Sequence, residues 1–180
     1  STPETSLRVL LVDDHTLVRE GLQRLLESAN EGWHIRGVSN GFDALDLLRR
    51  EAADVAIIDL SMPVMGGLEL LRRLKAEFPA VSVLVLSMHA EEQYAVRAFK
   101  GGAHGYITKD RAAAELVAAV RKAATGGAYV SPLFAERIVL QMGGGDARPS
   151  HGRLSDRELD VLRRIVAGQR PSDIARDLHL

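Results

Sequence analysis

Short apolar runs rich in β-branched residues punctuate the first two-thirds of the chain. A longer segment of helical period follows each one. The runs are residues 7–12 (LRVLLV), 33–38 (WHIRGV, the most polar), 55–60 (VAIIDL), 81–86 (VSVLVL) and 105–108 (GYIT). Continuous apolar stretches of this length suit strands covered on both faces.

Between the runs, apolar residues recur at three- and four-residue spacing. Leu17, Val18, Gly21, Leu22, Leu25 and Leu26 share one face, and Ala44, Leu45, Leu47 and Leu48 another. Leu68, Leu70, Leu71 and Leu74 repeat the pattern before Pro79. Val96 and Phe99 mark a fourth helix ended by Gly101 and Gly102. Leu116, Val117 and Val120 mark a fifth ended by Gly126 and Gly127. Five strands, each followed by a helix, predict an α/β fold: a parallel, doubly wound sheet with helices on both faces. In such sheets the ligand site lies beyond the carboxyl ends of the strands.

After Gly127 the period breaks. Residues 132–141 could form one short helix, and residues 143–152 (GGGDARPSHG) read as a flexible linker. A new pattern begins at Leu154. Ser155 and Glu158 have the spacing of a capping box, in which each side chain satisfies the other residue's backbone N–H. Leu159, Leu162, Ile165 and Val166 follow as an apolar face that Gly168 ends. Pro171 suits a first helical position, and Ile174, Ala175 and Leu178 form a second, shorter face. Two helices and a tight turn suggest the start of a helix-turn-helix.

Composition narrows the chemistry. The 180 residues include no cysteine, which excludes disulfides, thiolate metal sites and cysteine nucleophiles. Aromatics make up only 4%, so the core is aliphatic. A net charge of -1 leaves room for a local basic patch but does not require one. No apolar run reaches the ~18 residues of a membrane span, and residues 1–6 lack the pattern of a secretion signal. A cytoplasmic location is the expectation.

Polar residues stand at the strand ends. Asp13 and Asp14 follow the first strand, Asp59 closes the third, Ser87 the fourth, and Lys109 follows the fifth. Singly, each reads as a turn or cap residue. Together the strand-end rule gathers them in one crevice. Three carboxylates there repel one another. Lys109 offers one compensating charge, and a hard divalent cation, Mg2+ by its preference for oxygen ligands, could offer the rest. Carboxylates, a metal, a lysine and a hydroxyl suit phosphoryl transfer, with one carboxylate as the nucleophile that forms an acyl phosphate.

These residues lie in stretches that resemble the receiver domain of two-component response regulators. The stretches are VDDH at residues 12–15, DLSMPVMGG at 59–67, LSMH at 86–89 and GAHGYITKD at 102–110. The GYITKD form resembles the NarL/FixJ subfamily of transcription regulators. The resemblance implies a flavodoxin-like receiver over residues 7–127, with Asp59 as phospho-acceptor. It implies that Asp14 and Asp59 bind Mg2+ directly, Asp13 largely through water, and that the backbone carbonyl of Ser61 is a further ligand. Lys109 would contact the phosphoryl group, with Ser87 as switch hydroxyl and Tyr106 as switch aromatic. The donor would be the histidine of a sensor kinase or a small molecule such as acetyl phosphate. Beyond Asp59, Met62 and Pro63 read as loop-shaping residues and His89 as a solvated loop histidine. Gly66 departs from the family, where many relatives carry Asp.

Residues 154–180 are similar to the opening of the LuxR-type DNA-binding domain, and residues 128–153 would be the linker. In that family two more helices follow, the first of them the major-groove recognition helix, which residues 154–180 do not include. Arg170 stands where relatives usually have a Ser or Thr cap, a loss worth ~1 kcal/mol to the second helix. Residues 154–180 are too few to bury a core alone, and acidic and basic residues nearly balance in them. The expectation is therefore a phosphorylation-dependent transcription regulator, homodimeric, acting on promoter DNA through a complete C-terminal domain. By this reading the 180 residues alone would not bind DNA in the usual mode: either the segment is an artificially or naturally shortened form, or its two apolar faces pack on the receiver or on a partner chain. The alternative is a receiver that acts as a phosphorylation-dependent protein-interaction adaptor without DNA binding. A third reading, a flavodoxin-like nucleotide binder, lacks its phosphate-cradling glycine loop, because GGG at residues 143–145 follows no strand.

Overall fold

The computed structural model describes residues 6–29, 31–89, 92–142 and 154–180. Five strands form one parallel sheet: β1 (Arg8–Val12), β2 (His34–Val38), β3 (Val55–Asp59), β4 (Ser82–Ser87) and β5 (Gly105–Thr108). Their spatial order is β2-β1-β3-β4-β5. The chain therefore steps outward from β1 to one edge, then crosses back to β3 and continues to the other. The reversal point lies between the carboxyl ends of β1 and β3, where doubly wound sheets place their ligand crevice.

Side-chain alternation along the strands makes two cores. Leu10, Val12, Ala56, Ile58, Val83 and Val85 face α2 (Gly41–Arg50) and α3 (Gly67–Glu77). Val9, Leu11, Val55, Ile57, Leu84 and Leu86 face α1 (Thr16–Ser28) and α5 (Ala112–Ala124). Every residue of β3 and β4 is buried, which explains why their sequences are unbroken apolar runs rather than alternating ones. A 3-10 turn at Lys109–Arg111 joins β5 to α5.

The apolar stripe read for α1 is only partly a core face. Leu22 and Leu26 are buried, but Leu17 is 84% exposed and Val18 and Gly21 are also exposed. Thr16 starts the helix just beyond the end of β1. Its first turn therefore stands at the rim of the sheet, with no strand beneath it.

A third cluster lies outside the sheet. It joins Ala95, Val96 and Phe99 of α4 (Glu92–Lys100), Ile138 of α6 (Pro132–Met142), and Val161, Leu162 and Ile165 of α7 (Asp156–Val166), with Ile174 of α8 (Pro171–Leu178). The residues after Leu154 thus bury their apolar faces against α4 and α6. The capping box is formed: Glu158 N–H donates to Ser155 Oγ at 3.2 Å, and Ser155 N–H donates to Glu158 Oε1 at 3.0 Å. Pro171 opens α8, and Arg170 provides no side-chain cap. The face of α7 differs slightly from the expected one. Val161 is buried, while Leu159 and Val166 are half-buried, because α4 and α6 both press on the helix. The linker read at residues 143–152 lies outside the described residues.

Candidate functional site

The carboxyl ends of β1, β3, β4 and β5 hold the site. Hydrogen bonds with the end of β2 and with α1 fix the β1 end. Asp13 N–H donates to the Val38 carbonyl at 3.2 Å, and the Arg19 guanidinium donates to the Asp13 carbonyl at 2.6 Å. The Asp13 carboxylate accepts the backbone N–H of His15 at 2.9 Å, a local turn bond. Asp59 is the last residue of β3, and its Oδ1 accepts the backbone N–H of Ser61 at 3.2 Å. Leu60 N–H on the Leu86 carbonyl (2.8 Å) and Gly67 N–H on the Leu60 carbonyl (2.9 Å) hold the following loop.

Asp13 and Asp59 are almost fully buried, and Asp14 is half-buried. The Lys109 ammonium, itself largely covered, bridges them at 3.2 Å from Asp13 Oδ2 and 3.3 Å from Asp59 Oδ2. Both contacts have ion-pair length without the alignment of a hydrogen bond. Asp13 Oδ2, Asp59 Oδ2 and Asp14 Oδ1 are buried with no hydrogen-bond donor. Burial pushes the Asp59 carboxyl above its ordinary range. The Lys109 charge opposes this, the Asp13 charge adds to it, and the Ser61 N–H opposes it.

Three orphaned carboxylate oxygens and one lysine leave the crevice with excess negative charge. Asp13, Asp14, His15 and Asp59 each offer one ligand atom, and these atoms all lie within 4.8 Å of one another. The pocket is compatible with a divalent metal ion, and its predominance of carboxylate oxygen suits a hard one. His15 is the member that sequence reasoning did not single out. Its Nδ1 stands 3.2 Å from Asp14 and 3.5 Å from Asp13. It was present in the VDDH stretch, but nothing in the spacing distinguished it from a helix-start residue.

Ser87 and Tyr106 meet through one residue. Ser87 is fully buried, and its Oγ accepts the backbone N–H of His89 at 2.9 Å. The Tyr106 hydroxyl donates to the carbonyl of the same residue. The His89 ring stacks on Tyr94, with centroids 4.7 Å apart, so it is not simply a solvated loop side chain. Met62 is buried beneath the loop after Asp59, and the Pro63 carbonyl accepts the N–H of Met65 at 2.8 Å. Both residues shape that loop, as expected. Val64, between Pro63 and Met65, is 95% exposed with φ 69°, a left-handed conformation that a β-branched residue rarely adopts. Gly66 occupies the N-cap of α3 and has no side chain with which to cap it.

Comparison with known proteins agrees with this geometry. The family model described as response regulator receiver domain matches residues 9–121. Response regulator UvrY of Escherichia coli (strain K12) is 35% identical over 175 residues, 97% of this chain and 80% of its own length. Response regulator GacA of Pseudomonas aeruginosa is 35% identical over 176 residues, covering 97% and 82% of the two chains. A two-component response regulator of the LuxR family from Aurantimonas sp. SI85-9A1 superposes with a TM-score of 0.71 at 34% identity, over 78% of this chain and all of that one. The RcsB response regulator of Salmonella typhimurium, whose structure was described for its conformational dynamism in DNA interaction, matches with a TM-score of 0.66 at 26% identity. That match covers 98% of this chain and 84% of RcsB. The parallel five-stranded sheet, the acidic crevice at its carboxyl edge and these matches together show that the chain belongs to the two-component response regulators, in the NarL/FixJ-type branch.

Proposed function

We propose that the chain accepts a phosphoryl group on Asp59 and that this controls dimerisation and transcription through a LuxR-type DNA-binding domain. Residues 7–127 form the receiver, 128–153 the linker that contains α6, and 154–180 the opening of the DNA-binding domain. The observation that carries the reading is the set of orphaned oxygens on Asp13, Asp14 and Asp59 around Lys109. Such a cluster is expensive unless it exists to bind cationic and phosphoryl groups.

In the proposed reaction, an oxygen of Asp59 attacks the phosphorus of a sensor kinase's phosphohistidine. The N–P bond breaks, the imidazole leaves, and Asp59 becomes an acyl phosphate. Asp13, Asp14, Asp59 and the Ser61 carbonyl would hold Mg2+, which would supply charge neutralisation for the phosphoryl oxygens. Lys109, already beside Asp59, moves its ion pair onto the incoming phosphoryl group. The protein itself is a regulatory acceptor, and its only catalysis is of its own phosphorylation and dephosphorylation.

The switch follows from the contacts of residue 89. New acceptor oxygens on Asp59 compete with the present geometry for the Ser87 hydroxyl. A shift of Ser87 pulls on the His89 N–H it holds, and His89 in turn anchors Tyr106. Converting a mostly inactive population to a mostly active one takes ~5.5 kcal/mol of bias, part of which charge-assisted hydrogen bonds can supply. DNA binding by this branch rests on relatives such as RcsB. A gel-shift comparison of the 180 residues with a version extended by the remaining LuxR-type helices would separate regulator from adaptor. Exposure to acetyl phosphate and Mg2+ should add one phosphoryl group to the intact mass of the chain, and Asp59→Asn should abolish it. No gain from either acetyl phosphate or a matched histidine kinase would end the proposal.

A further inference from the structure

A second cavity lies on the opposite side of the molecule from the chemistry above. It opens between α3, the end of α4 and the start of α8, and its volume is about 720 Å³. That is within the ~300–1,000 Å³ typical of small-molecule sites. Arg72 and Lys75 of α3, Arg97 and Lys100 of α4, and Arg170 before α8 line it, and no carboxylate side chain does. In a chain of net charge -1 this is a strong local imbalance.

The cations are unevenly satisfied. Arg72 is paired with Glu69 at 2.8 Å, and Arg97 lies 6.0 Å above the Tyr94 ring. Lys100 and Arg170 have no ion-pair partner among the described residues. The Lys75 ammonium donates to the Val81 carbonyl at 3.1 Å, and burial lowers its pKa to about 8. Glu158, outside the cavity and held chiefly by Ser155, feels the charges of Lys100 and Arg97 to a lesser degree. Other surface arginines do sit in close ion pairs, as Arg36 does with Glu51 and Arg49 with Glu77.

The Arg170 guanidinium lies close to a glycine. Gly126 has φ 83°, and a Cβ there would stand 3.2 Å from Arg170 Nη1, so the guanidinium lies against bare backbone. The wall between the cations is apolar, formed by Leu68, Leu71 and Ala175. Guanidinium and ammonium groups from two sides suit an anion with several charges, and a phosphoryl group meets this best through its three peripheral oxygens. The apolar wall leaves room for an organic remainder.

We propose that this cleft binds a small organic polyphosphate, which bridges the receiver and α8. Such a ligand would tie Arg170 to α3 and α4 and so favour the packed arrangement of the C-terminal helices. It is independent of phosphorylation at Asp59.

The test is calorimetric titration of the 180-residue chain with ATP and, separately, inorganic pyrophosphate. EDTA keeps the acceptor site without metal, and salt of about 150 mM screens loose surface binding. Expected are saturable one-site binding of ATP, weaker binding of pyrophosphate, and roughly tenfold or greater weakening in Lys100→Ala and in Arg170→Ala. Asp59→Asn should bind as the parent does. Both lysine and arginine variants truncate side chains that reach solvent, and melting curves confirm that each is folded. Failure of both probes to saturate below about 1 mM would overturn the proposal, as would undiminished affinity in both variants. Equal affinity for ATP and pyrophosphate would overturn the organic portion.

Discussion

Two neighbouring glycines beneath the acceptor loop should respond oppositely to a side chain. At Gly67 an added Cβ would stand 2.4 Å from the Asp59 carbonyl oxygen and 2.6 Å from Leu60 Cα. An ordinary contact needs roughly 3.5 Å, so the first turn of α3 or the end of β3 must give by about 1 Å. The obstructing atoms are backbone of the last residue of buried β3 and of the buried residue after it, which cannot rotate away. Overpacking of this kind costs about 1–3 kcal/mol, against which the helical preference of Ala over Gly returns at most ~1 kcal/mol. At Gly66 the nearest atom to an added Cβ, the Leu60 carbonyl oxygen, is 3.8 Å away, and the backbone is extended with φ -70°. Gly66→Ser should therefore be neutral or stabilising by about 0.5 kcal/mol, through a cap bond and a less flexible unfolded chain. Urea unfolding measures both. Gly67→Ala should also slow phosphorylation by roughly a hundredfold, since about 1 Å of displacement reaches Asp59. Equal stability of Gly67→Ala and the parent would refute the packing described for this loop.

Three further outcomes follow from the structure. Lys109→Ala leaves Asp13 and Asp59 buried together without a cation, so the Asp59 carboxyl should rise further. Phosphorylation by acetyl phosphate, followed by intact mass, should slow by roughly 10²-fold or more. His104 is buried, its Nδ1 accepts the Val83 N–H at 3.3 Å, and burial, with a smaller contribution from the Lys75 charge, lowers its pKa to about 3. The unfolded chain takes up this proton near pH 6.5 and the folded one does not. This contribution is therefore complete above pH 6.5 and is lost toward pH 3, by up to roughly 1.4 kcal/mol per pH unit. His104→Asn should flatten the acid limb of stability measured by urea unfolding. Ser155→Ala removes the capping box of α7 and should cost about 1 kcal/mol, read as faster hydrogen exchange in that helix with the sheet unchanged.

The parts of the molecule legible in the sequence are those where burial alone dictates residue type. β3 and β4 are covered on both faces, so VAIID and SVLVLS could be little else. The clustering of Asp13, Asp14, Asp59 and Lys109 followed from one topological rule about strand ends. The first turn of α1 was not legible, because periodicity reports that Leu17 could share a face with Leu22 but not that the sheet ends beneath it. The face of α7 was off by one position at Val161 because packing between α4 and α6 set it, not its own period. His89 was read as a solvated side chain because no local pattern reports the stacking of its ring on Tyr94. The cavity around Arg170 needs the docking of α8 on α3 and α4, which no local pattern encodes.

The most direct test of the acceptor assignment is chemical. The chain is exposed to acetyl phosphate and Mg2+, reduced with borohydride and digested, and the peptides are sequenced by mass spectrometry. An acyl phosphate on an aspartate is reduced to homoserine, so homoserine should appear at position 59 and depend on Mg2+. Homoserine at position 13 or 14 instead, or at none of the three under conditions that phosphorylate a control receiver, would contradict the account.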